Sequence, residues 1–121
     1  MVVQAAVEVC SEEAEQFLIE GADIMPSMVS RLSAALPGIT IRACFLGNAG
    51  FSDDDLAFYR GPKPQHEGDA SRAELDATAA WIRHESGHYR SECARLALPY
   101  VDVGELGFDT AMIEARRHLL A

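Results

Sequence analysis

His84-Glu85-Ser86-Gly87-His88 carries two imidazoles four residues apart with a carboxylate between them. On a helix this spacing sets both rings one turn apart, where they can grip zinc while the glutamate activates a water. The surrounding pattern argues against that use. Arg90 stands two residues beyond the second histidine, where a helix buried behind its metal needs an apolar side chain. At 100° per residue, His84 and His88 fall about 200–240° from Ile82, on the side away from the apolar stripe. Glu92 shares the same helix and Glu105 is only a distant candidate for a third ligand. Zinc is therefore not expected, and the two histidines are expected on a solvated surface.

Other side chains suit phosphate chemistry better. Arg83 and Arg90 project from one face two turns apart, with Arg72 near the same line three turns back. Guanidiniums in register form forks that match phosphate oxygens, although pairing with Asp76 and neighbouring acids would use them equally well. Glu20 ends the apolar run Phe17-Leu18-Ile19 and is followed by Gly21 and Asp23. A carboxylate at the carboxyl end of a parallel strand sits where open α/β sheets bind ligands, and it can hold a magnesium-bound water or accept a hydroxyl proton. Asp53, Asp54 and Asp55 are consecutive. They are read as the charged first turn of a helix, since calcium loops alternate their ligands and close on a distant glutamate.

The elements that must position these groups follow from periodicity and punctuation. Val2 to about Ala14 predicts a helix with Val3, Val7 and Cys10 on one side. Phe17–Glu20 predicts a short strand. Pro26 fits a first helical turn, and Met28, Leu32 and Leu36 recur every four residues until Pro37-Gly38 stops the helix. Thr40–Leu46 predicts a second strand, and Ser52 a cap for a short helix reaching Arg60. Gly61 to about Ala70 reads as a loop. Ser71 and Glu74 form a capping-box pattern for a long helix with Leu75, Ala79, Ile82, Ser86, Tyr89, Cys93 and Leu96 on one stripe. Pro99–Val103 predicts a third strand and Phe108–Leu120 a closing amphipathic helix. Alternating strands and helices imply a parallel α/β sheet buried on both faces.

Composition narrows the functional classes. The 121 residues, 49% hydrophobic, suit one domain with a modest core that buries roughly two-thirds of the unfolded surface. A formal net charge of -9 disfavours nucleic acid, whose binding rests on a basic stripe. Cys10, Cys44 and Cys93 are odd in number and widely spaced, which fits reduced thiols in a cytoplasmic protein. Val2–Val9 is too short to cross a bilayer, and the acids that follow it do not suit a signal peptide. No membrane partner is expected.

Taken together, FLIEGADIMP at 17–26 resembles the Walker-B-like strand of P-loop kinases that act on small molecules, related to nucleoside, nucleotide and 2-phosphoglycerate kinases. IRACFLG at 41–47 resembles their next strand. Trp81-Ile82-Arg83, Tyr89–Ala94 and Leu98–Val103 resemble their lid-side helix and last core strand, so the likeness covers about residues 15–120. It implies a three-layer parallel sheet of P-loop kinase type as a single partial domain, with residues 61–96 as a lid-like loop and helix. It also implies transfer of the ATP γ-phosphoryl group to a small hydroxyl or phosphate acceptor with Mg2+. By position, Glu20 would serve the magnesium or the acceptor. Arg83 and Arg90 would be catalytic lid arginines on the phosphates, and Asp23, Arg60 and Lys63 would touch the small-molecule substrate.

The chain departs from that pattern in one respect. None of its residues spell G-x-x-x-x-G-K-[ST], and its one lysine, Lys63, lies between prolines. The first strand and its phosphate loop are thus missing from the amino-terminal side. The expectation is an inactive isolated chain: one completed by an amino-terminal segment or another polypeptide, a homodimer through unpaired strand edges, or a reduced fold that has lost catalysis; the alternatives are a zinc-dependent hydrolase through His84, Glu85 and His88 and a non-catalytic partner-binding domain that uses the open sheet edge.

Overall fold

The computed structural model describes residues 2–13, 15–52, 54–55 and 69–120. Helix α1 spans Val2–Glu13 and α2 spans Pro26–Ala35. Strand β1 is Phe45–Gly47, helix α3 is Asp69–Leu96 and strand β2 is Tyr100–Asp102. The short helix α4, Val103–Leu106, leads into α5, Phe108–Leu120. The fold is mixed α/β: β1 and β2 pair in parallel, with Phe45 opposite Tyr100, Leu46 opposite Val101 and Gly47 opposite Asp102.

Helices α2, α3 and α5 turn apolar sides inward. Pro26 occupies the first turn of α2, where its missing N–H costs nothing, and Pro26, Val29 and Leu32 are buried. The expected stripe on α3 faces inward: Ala79, Ser86 and Cys93 are buried, and Leu75, Ile82, Tyr89 and Leu96 are partly so. This stripe packs on both strands and on α2. Phe51, just after β1, closes on Ala79 with Leu75 and Ile82 around it. Helix α5 turns Ala111 and Ala115 inward and lies against β2 and α4. Its small inward residues let the backbones approach closely.

Several expected boundaries move, each for a physical reason. Phe17–Glu20 forms no ladder with any described residue; it carries a strand's side chains but has no neighbour to bond with. The Thr40–Leu46 strand contracts to Phe45–Gly47, because β2 offers only three residues to pair with. Pro99 lies just before β2, yet its carbonyl accepts the Phe45 N–H at 3.0 Å. Val103 leaves the strand because Asp102 caps α4. Helix α3 starts at Asp69, so Ser71 lies inside its first turn instead of at the cap. The Ser52 cap does form: its hydroxyl accepts from Asp55 N–H at 3.2 Å and donates to the Asp55 carboxylate at 3.0 Å. Asp53, the rest of that helix to Arg60, and the loop 61–68 lie outside the described residues.

Gly47 is required by close approach to Tyr100. A Cβ at Gly47 would sit 2.7 Å from Tyr100 Cε2 and 2.9 Å from its Cζ. Tyr100 cannot swing aside freely, since its hydroxyl is bonded to Asp102. Gly47→Ala is expected to lower stability by about 1–3 kcal/mol. Urea unfolding should show a lower midpoint with an unchanged slope.

Candidate functional site

The carboxyl ends of β1 and β2 meet at Asp102, a buried carboxylate. Its Oδ2 accepts the Ala49 N–H at 3.0 Å and the Tyr100 hydroxyl at 2.9 Å, and its Oδ1 accepts the Glu105 N–H at 3.0 Å. Next to it, the Asn48 N–H donates to Ser86 Oγ at 2.8 Å, tying the same turn to α3. One acid therefore fixes the turn after β1, the end of β2 and the start of α4. Burial alone would push the Asp102 carboxyl up. The three donors, with the charge of Arg90, outweigh burial and hold it below the ordinary carboxylate range. Tyr100 is pushed far up, by burial and then by its bond to Asp102.

Beside this centre lies a cleft of about 380 Å³, lined by Arg90, Tyr100, Asp102, Glu105, Thr110 and His118 among others. Arg90 crosses it to Glu105 at 3.1 Å, with its guanidinium 6.0 Å from the Tyr100 ring centre. Both side chains of this pair are more than half exposed, at 53% and 60%. An ion pair so placed contributes little and yields easily to a competing anion.

The other predicted site residues scatter around it. Arg83 donates to the Phe51 carbonyl at 2.6 Å, so the two arginines that share a helix face reach different partners. Glu20 and Asp23 are exposed on the segment before α2, with Asp23 in a turn. That segment meets α3 at Tyr89, whose hydroxyl donates to the Ala22 carbonyl at 3.3 Å. The Tyr89 ring stacks on Phe45 with centres 5.9 Å apart. Burial, then Glu85, then Asp23 raise the Tyr89 hydroxyl above its ordinary value, which sets both carboxylates near it. Arg60 and Lys63 lie outside the described residues.

His84 and His88 are exposed, as expected from their phase on the helix. Among the described residues no three His, Cys, Asp or Glu side chains form a group that could hold a metal. The described cysteines are free thiols, and burial, then Cys44 and Glu92, push Cys93 up to about 11. Such a thiol packs as a small apolar group. No described helix is long and apolar enough to cross a membrane.

The residue that sequence reasoning missed is Asp102. The signal was present: like Glu20, it is an acid closing an apolar strand and followed within two residues by glycine. No family model, curated protein or solved structure matches the chain.

Asp102→Asn keeps the shape but turns an acceptor atom into a donor against backbone N–H groups. It should cost about 2–4 kcal/mol at neutral pH. Because the folded carboxyl is depressed below its unfolded value near ~3.9, its contribution is complete above that value and is lost as pH falls through the folded one. Urea unfolding across acid pH should show the gap between wild type and variant closing as pH drops.

Proposed function

We propose that the chain is the acceptor-side and lid-side part of a P-loop kinase-type, three-layer phosphoryl-transfer fold, working in the cytoplasm on a small molecule with ATP and Mg2+. The observation that carries this reading is the parallel β1–α3–β2 crossover, with polar groups gathered at the carboxyl ends of both strands. Open α/β sheets bind ligands at that end.

In this reading an acceptor hydroxyl attacks the γ-phosphorus, the bond to the bridging oxygen breaks, ADP departs, and the acceptor proton passes to Glu20. Glu20 would also hold Mg2+, which would supply positive charge against the phosphate oxygens. Arg83 and Arg90 leave the Phe51 carbonyl and Glu105 to neutralise the moving phosphoryl charge. For Arg90 the exchange costs little, because its present partner is solvated. Asp23, Arg60 and Lys63 hold the acceptor. The phosphate-cradling loop has to come from outside this sequence, so the chain by itself transfers no phosphoryl group.

The reading is tested by following backbone amides in NMR while adding nucleosides, nucleoside monophosphates or phosphoglycerates, each with Mg·ATP. A fitting phosphorylated acceptor should shift the amides of Asp23 and Arg83, and Arg83→Ala should weaken its binding about tenfold (~1.4 kcal/mol). Failure of every acceptor to move these amides would sink the reading. Stoichiometric zinc that disappears in His88→Ala would replace it with metal-dependent hydrolysis.

A further inference from the structure

The cleft beside Asp102 has walls that carry both charges. On one side Arg90 of α3 and Glu105 of α4 meet at 3.1 Å. On the other, α5 contributes Thr110, Glu114 and His118, which stand four residues apart. That spacing sets a hydroxyl, a carboxylate and an imidazole along one side of the helix, each about 6 Å beyond the last. The Thr110 hydroxyl and the His118 ring hydrogen-bond to no described group. The volume of about 380 Å³ falls within the roughly 300–1,000 Å³ usual for small-molecule pockets.

Charge restricts what can enter. The Arg90–Glu105 pair is solvated and opens at little cost, so a ligand meets both partners at once. A simple anion drawn to Arg90 would lie against Glu105, and a simple cation drawn to Glu105 would lie against Arg90. A carboxylate and an ammonium on one carbon answer both, because these two charges sit about as close together as those of the pair. Three carboxylates line the cleft, Asp102, Glu105 and Glu114, against one guanidinium. Asp102 already accepts from three donors. Glu114 is held only by Arg117, at 3.0 Å from outside the cleft lining, and the Arg117 side chain is 68% exposed. A second ammonium on the ligand therefore has a carboxylate to meet there, in exchange for a solvated partner.

We propose that this cleft binds a small basic α-amino acid, with its head group between Arg90 and Glu105 and its side-chain ammonium toward Glu114. A free carboxylate and a free ammonium on the same carbon belong to a free amino acid and not to a residue within a peptide, so the ligand is a small molecule. The inference stands on the charges of the cleft walls. It goes beyond the phosphoryl-transfer reading and does not need it.

The test adds L-ornithine, L-norvaline or putrescine to the whole chain and follows backbone amides by NMR, without nucleotide or Mg2+. Norvaline is ornithine without the second ammonium, and putrescine is ornithine without the carboxylate. Ornithine should shift the amides of Glu105, Thr110 and His118 saturably, and the other two should each bind about tenfold more weakly. Glu114→Gln should bring ornithine down to the affinity of norvaline, and Arg90→Gln should bring it down to that of putrescine. Absence of a saturable shift with ornithine overturns the proposal. Putrescine binding as tightly as ornithine does so too, since attraction of any cation to an acidic chain would then suffice. Equal binding of norvaline overturns the role of Glu114 and with it the basic ligand. The acceptor experiment reads Asp23 and Arg83 with Mg·ATP present, so either reading can fail while the other holds.

Discussion

The arrangement of this protein rests on a buried carboxylate that has to stay charged. Asp102 is surrounded by groups that leave it little water, and an ion so placed is tolerated only when hydrogen bonds replace its hydration. Three donors from three parts of the chain do so: the turn after β1, the ring of Tyr100 and the first turn of α4. Moving any of these would leave the charge short of a donor. The strand ends, the turn and the helix start are therefore fixed relative to each other more tightly than two three-residue strands could manage alone.

Helix α3 supplies the second constraint. The two strands paired among the described residues make a small sheet, and isolated strand pairs are marginal in water. The inward stripe of α3 spans both strands and α2, and its buried serine, Ser86, accepts the Asn48 N–H just where the turn leaves β1. A serine in an apolar stripe is thus part of the mechanism that shapes the strand ends. The same helix delivers Arg83 to the Phe51 carbonyl and Arg90 to the cleft beside β2.

What is bonded and what is left open differ in kind. The polar groups at the carboxyl ends of the strands are closed onto one another, whereas the outer edge of β1 pairs with no described backbone group, and Leu18 and Leu46 are exposed. Natural sheets normally protect such edges with charge, bulges or a covering element.

Much of the helical frame was legible in the sequence because helices are local. The 3.6-residue period of α3, Pro26 in the first turn of α2, the Ser52 cap and the bounds of α5 all rest on residues within a turn or two of each other. The outward phase of His84 and His88 follows from that period too. Strands are different, since a ladder needs a partner that may lie anywhere in the chain. Phe17–Glu20 has a strand's composition but pairs with no described residue, and Thr40–Leu46 keeps only the residues that β2 can reach. The role of Asp102 was hidden for the same reason, because Ala49 lies far from it in sequence. The sequence by itself determined helix faces, charge and the absence of a phosphate loop within these residues. The tertiary structure alone decided which strands pair, which arginine meets which partner and which carboxylate is buried, because each depends on contacts between distant segments.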